Sequence, residues 1–158
     1  RHNRDIPMLR EQISAALKTS IKSKEACATA TLRLISAAIK DRDIAARDKG
    51  NQEGISDDEI LSLLQSMIKQ RVESADIYDK GDRQDLAARE REEITVIERF
   101  LPAQMSADEV AAAVEGAIKD TGADCIKDMG KCMAALKQKY AGRMDFSKAS
   151  ALVKDKLC

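Results

Sequence analysis

The chain has 158 residues, 34% of them charged and 3% aromatic, and its 27 basic and 27 acidic side chains cancel to formal neutrality. A chain of this length holds one good core or two small ones. With so few aromatic rings, that core has to come from Leu, Ile, Val, Met and Ala on amphipathic helices. No apolar run approaches the roughly 20 residues that span a bilayer, and no secretory segment is present, so the expectation is a soluble, cytoplasmic protein with no membrane partner.

Residues 1–7 are polar, hold the only histidine, His2, and precede Met8, where helical periodicity begins; they are expected to be a leader or remnant ahead of the natural start. Leu9, Ile13, Leu17 and Ile21 then mark a first helix, and Leu32, Ile35 and Ile39 a second, closed by the charged stretch before Gly50 and Gly54. Ser56 with Glu59 forms a capping box for a third helix with the stripe Leu61, Leu64, Ile68, Val72 and Ala75, which Gly81 should end. Asp82 is expected to cap a fourth helix carrying Leu86, Ile94, Ile97 and Leu101, stopped by Pro102.

A second capping box, Ser106 with Glu109, restarts a helix after that proline, so the predicted division is an N-terminal helical domain over 8–101 and a C-terminal one over 106–158. Val110, Val114 and Ile118 line the fifth helix, with Gly122 as a left-handed stop. Asp128 is expected to cap a sixth, with Met129, Met133, Leu136 and Tyr140 on one face and Gly142 at its end, and Asp145 a seventh with Phe146, Ala149, Val153 and Leu157. The predicted fold class is all-α, an N-terminal helical module followed by a small three-helix domain.

Catalytic chemistry has little to draw on. His2 lies in the presumed leader, and no Gly-x-Ser-x-Gly elbow is present. Gly130-Lys131 has Cys125 where a phosphate loop needs an earlier glycine, and Cys132 where it needs Ser or Thr. Cys27, Cys125, Cys132 and Cys158 lack metal or redox spacing, so reduced thiols and no metal or cofactor are expected. Glu90, Glu92, Glu93 and Glu98 among Arg89, Arg91 and Arg99 read by default as salt-bridge ladders along the fourth helix.

The last thirty-three residues hold Lys127, Lys131, Lys137, Lys139, Arg143, Lys148, Lys154 and Lys156 against only Asp128, Asp145 and Asp155, which leaves the rest of the chain acidic. Such separation points to a polyanion-facing tail, with a solvated lysine-rich surface as the plain alternative. Lys127 and Lys131 sit near the start of the sixth helix, where free backbone donors and the dipole also favour an anion. Arg143, after Gly142, and Lys148 are expected to face the same groove, with a phosphate backbone as ligand. Alternatively, Gly130 serves close helix packing and Gly142 only ends a helix. Arg33, Lys40, Arg42, Lys69 and Arg71 could widen an RNA surface or dock a protein, and Leu34, Ile44 and Ile60 could form an apolar patch for a helix.

Several runs of residues, taken together and in order, resemble the GatB/YqeY family. They are Leu32 to Lys40, Met67 to Ser74, Asp85-Leu86-Ala87 with Glu90 and Glu93-Ile94, Phe100-Leu101-Pro102, Asp128-Met129-Gly130-Lys131 and Gly142-Arg143-Met144-Asp145. The resemblance implies that the C-terminal part is similar to the tail domain of the B subunit of glutamine-dependent aspartyl/glutamyl-tRNA amidotransferase, a domain that helps hold tRNA. By position it carries over only to Gly130, Lys131, Gly142 and Arg143. It also brings an associated label, carbon–nitrogen ligase with glutamine as amide donor, for which this chain supplies no self-sufficient constellation. The expected partners are tRNA or structured RNA and an amidotransferase or amidase subunit; the oligomeric state is left open.

Overall fold

A computed structural model describes residues 8–157. The expectations about residues 1–7, His2 and Cys158 fall outside those residues. Seven α-helices and no strand occur among the described residues: α1 Leu9–Lys22, α2 Ala26–Asp48, α3 Asp57–Lys80, α4 Gln84–Glu98, α5 Ala107–Thr121, α6 Met129–Tyr140 and α7 Phe146–Leu157. They form two compact units, one ending at Leu101 and one beginning at Pro102. None of the described helices is long and apolar enough to cross a membrane.

In the first unit α1 packs on α2 and α3 pairs along its length with α4. Ile13, Leu32, Ile35, Ile60, Leu64 and Ile97 are almost completely withdrawn from solvent at its centre. The α2–α3 connection is held by a polar knot. Arg10 Nη1 donates to Asp43 Oδ2 at 2.9 Å, and the Ile55 N–H donates to Asp43 Oδ1 at 2.9 Å. Gly54 lies against this pair at φ +91°, where a Cβ would come within 2.6 Å of Asp43 Oδ1. Only glycine satisfies both the left-handed backbone and the contact.

The capping box opens α3 as its sequence requires: Ser56 Oγ accepts from the Glu59 N–H at 3.2 Å, and Glu59 Oε1 accepts from the Ser56 N–H at 3.0 Å. The apolar stripe of α3 is displaced from the expected one. Ile60, Leu63, Leu64, Met67 and Ala75 are buried, whereas Val72 is 44% exposed. The buried line runs through Arg71, whose side chain is 13% exposed and pairs with Glu93. A reading of apolar residues alone skips an arginine and shifts the stripe by one position.

At the next corner Gly81 has φ −88°, and the left-handed residue is Asp82 at φ +58°, which closes α3 with the Arg83 N–H on Tyr78 O at 2.8 Å. Asp82 therefore does not cap α4; that position falls to Arg83. Helix α4 stops at Glu98, before the expected Leu101, because the residue preceding a proline is pushed out of helical geometry and the chain tightens into three-residue bonds. Phe100 N–H on Ile97 O and Leu101 N–H on Glu98 O, both at 3.1 Å, make that tightened turn.

The second unit is a three-helix bundle in which α5, α6 and α7 each pack on the other two. Its core is Val114, Cys132, Leu136, Met144, Ala149 and Val153. Gly122 ends α5 at φ +65°, and Asp145 Oδ1 accepts the Ser147 N–H at 2.9 Å at the start of α7. Asp128 behaves differently from expectation. A 3-10 turn, Ile126–Asp128, precedes α6, and the Asp128 carboxylate accepts from the Asp124 N–H at 3.1 Å instead of capping the helix.

Candidate nucleic-acid interface

Helix α6 separates the predicted anion-binding residues into two places. Lys127 lies in the 3-10 turn and Lys131 in the first turn of α6, both exposed. Arg143 lies beyond the other end of α6, and Lys148 is the third residue of α7. At 1.5 Å per residue, the axial distance from Lys131 to Tyr140 is about 14 Å. In chain order the four cations thus fall on either side of α6, Lys127 and Lys131 at its start and Arg143 and Lys148 beyond its end.

The two glycines differ as much. Gly130 is helical and exposed, and a Cβ there would meet nothing within 4 Å, so close packing does not account for it. Gly142 is buried at φ +74° and is required by the turn itself. Asp128, between Lys127 and Lys131, holds its carboxyl below the usual range chiefly through the Asp124 hydrogen bond, with the Lys131 charge adding to it.

The Arg143 end is a knot of hydrogen bonds. Gln104 Nε2 donates to Gly142 O at 2.7 Å, the Met105 N–H donates to Arg143 O at 2.9 Å, and Arg143 Nε donates to Ala103 O at 3.1 Å. The guanidinium carbon lies 5.9 Å from the centre of the Tyr140 ring and Lys139 Nζ lies 5.5 Å from it. Sequence reasoning missed this cluster: Lys139 is the neighbour of Tyr140 in the chain, and the turn after α6, closed by the Arg143 N–H on Tyr140 O at 3.0 Å, brings Arg143 back to the ring.

In the first unit, Arg33, Lys40, Arg42 and Lys69 are exposed, whereas Arg71 is an interior residue that donates from Nε to Glu93 Oε1 at 3.0 Å. The expected ladders within α4 are instead pairs across to α3, Arg71 with Glu93 and Arg91 with Asp79. Of the supposed apolar patch, Leu34 and Ile44 are half exposed and Ile60 is core. A cleft of about 440 Å³ is lined by Cys27, Asp85, Arg89 and Glu92 among alanines. Burial pushes the Cys27 thiol up, against a hydrogen bond with Thr31 and with help from Glu92 and Glu93, which keeps it protonated and a poor nucleophile. Among the described residues no three His, Cys, Asp or Glu side chains gather to hold a metal.

Comparison with known proteins gives the lineage. Over 85 residues the chain is 38% identical to Altered inheritance of mitochondria protein 41, mitochondrial, of Meyerozyma guilliermondii, covering 54% of this chain and 42% of that protein. It is 29% identical over 101 residues to an uncharacterized protein of Schizosaccharomyces pombe, covering 64% of this chain and 78% of the other. The protein 41 of Vanderwaltozyma polyspora is 28% identical over 106 residues, 66% of this chain and 55% of that protein. The chain thus spans about half the length of the two proteins of that name. The family model described as Yqey-like protein matches residues 10–157. A match that runs through both helical units leaves neither outside the assignment, and the chain belongs to the YqeY-like family.

Proposed function

We propose that this YqeY-like chain is an accessory RNA-binding protein that holds tRNA or another structured RNA by its phosphate backbone through the α6–α7 hairpin. The observation that carries the reading is that every lysine from Lys127 to Lys156 is exposed, on the one strongly basic segment of an otherwise acidic chain. Positive side chains spread over both ends of α6 suit a ligand whose charge repeats along its length, because each phosphate neutralised releases counterions. The resemblance to an amidotransferase tail supports the same ligand. Carbon–nitrogen ligase chemistry with glutamine as amide donor then belongs to a partner enzyme.

The test is binding of the full chain to bulk tRNA across a salt series. The logarithm of affinity should fall linearly with the logarithm of salt, by about 0.7–0.9 for each phosphate engaged. Lys127→Glu with Lys131→Glu alters two exposed side chains and no cap, and it should lower both affinity and slope. Unchanged affinity in that double variant would remove the α6 end from the interface. Absence of binding at low salt would sink the RNA reading.

One observation favours a second reading. Leu34 and Ile44 stand 51% and 48% exposed on the outer side of α2, beside Arg33 and Lys40, as a surface for an amidase subunit or another protein helix. Gentle copurification with an amidase subunit, abolished by Leu34→Asp, would support partner-dependent amide transfer; an unchanged complex in that variant would count against the α2 surface. The RNA pool is that of the cytoplasm or, following the names of two relatives, of the mitochondrion, and fractionation of cells carrying the full-length protein distinguishes them.

A further inference from the structure

A groove of about 360 Å³ runs between α5 and α6, wholly inside the second unit. Ala112, Gly116 and Asp120 form one wall, Lys139 and Tyr140 the other, and Arg143 stands at its head. We propose that this groove receives a single unstacked nucleotide of the bound RNA, its base lying on Tyr140 and its phosphate on Lys139 and Arg143. The inference rests on the RNA-binding reading and deepens it by naming the part of the RNA and the residues that take it.

The chemistry of the walls favours a nucleotide. An aromatic ring with two cations within 6 Å combines the stacking platform and the phosphate grip that single-stranded segments use. Arg143 is held in place by the bond from Nε to Ala103 O, which uses one of its five donors and leaves a planar fork suited to phosphate oxygens. Glu109, on the same side of the groove, accepts the Ser106 N–H at 2.8 Å and also feels the charge of Arg143, so a phosphate arriving there competes with that carboxylate for the guanidinium. Each end of the α5 wall carries one acidic residue, Glu109 and Asp120, so it is the cations Lys139 and Arg143 that place the phosphate at the Tyr140 end.

The wall opposite the ring is open, because a Cβ on Gly116 would meet no atom within 4 Å. The rest of the lining is largely apolar, with Met105, Ala113, Ala117 and Leu136 among it, which suits the face of a base; the two cations beside Tyr140 are what favour a nucleotide over an apolar helix.

The composition supplies a direct reporter. The chain has no tryptophan and two tyrosines, Tyr78 and Tyr140, and Tyr78 lies on α3 in the other unit. In the full chain carrying Tyr78→Phe, a short single-stranded RNA of mixed sequence should quench the Tyr140 emission saturably. Gly116→Leu, which fills the open wall and raises helix propensity, should abolish the quenching and weaken oligonucleotide binding about tenfold or more, the scale of losing one base's aromatic platform. Lys139→Glu, at an exposed position, serves as the second variant and should weaken binding in the same way. If the RNA binds by anisotropy while Tyr140 emission stays unchanged, or if both variants bind at full strength, the groove is not the site and the phosphate-backbone reading stands. If neither the oligonucleotide nor tRNA binds at low salt, both readings fall.

Discussion

At Gly142 the backbone has φ +74° in a buried turn, and at Gly130 it is plain exposed helix with open space where a side chain would stand. The two residues come from two family-like motifs, yet only one is demanded by the fold. Gly142→Ala should cost roughly 1–2 kcal/mol, the strain of placing a Cβ in the left-handed region. Gly130→Ala should instead raise stability by up to about 1 kcal/mol by restricting the unfolded chain. Thermal unfolding of the two variants checks both signs. A Gly130→Ala protein that melts higher but binds tRNA less tightly would assign that glycine to the ligand; unchanged tRNA binding would leave it no role there. The sequence separates the two in part, since Gly142 is expected at the end of α6 and Gly130 within it; the open space beside Gly130 has no residue-type signature.

Helices α3 and α4 are joined by charge as well as by their apolar faces. Arg71 and Glu93 have side chains only 13% and 18% exposed, whereas Arg83 and Asp85 are 57% and 70% exposed. Removing one partner of a sequestered pair strands the other, so Glu93→Ala should destabilise by about 2–3 kcal/mol, somewhat below the cost for a fully buried pair. Asp85→Ala, at an exposed and solvent-screened pair, should cost far less. Equal shifts in denaturation midpoint would contradict that ranking. The helices themselves were readable from apolar spacing and from the two Ser-x-x-Glu boxes, since both signals are local. The rotation of α3 and the cross-helix pairing of α4 were not, because an arginine on a buried line looks like a surface residue until its partner arrives from sequence positions far away.

For the molecule as a whole, two cores correspond to two runs of helical periodicity, and the proline between them was visible in the chain. The candidate site was less legible: charge marked the basic hairpin, but the length of α6 sets Lys131 and Arg143 at opposite ends, and Tyr140 enters only through its neighbours in space. The acid stability of the first unit should depend on the Arg10–Asp43 knot. Arg10 holds the Asp43 carboxyl below its ordinary range, with the Ile55 N–H assisting. A depressed folded value means that the stabilisation is complete above the unfolded value of about 3.9 and is lost as pH falls through the lower folded one. Asp43→Asn should lower the melting temperature at neutral pH and flatten its decline over that acid window; a pH profile parallel to that of the parent would exclude Asp43 as the group responsible. A different consequence follows from the strap at residues 103–105. Its three bonds to Gly142 and Arg143 make it an inseparable part of the second unit. A gene fusion that transplanted this unit onto another protein would have to cut before Pro102, since a junction at Ser106 would deliver three helices with the turn between α6 and α7 unlatched.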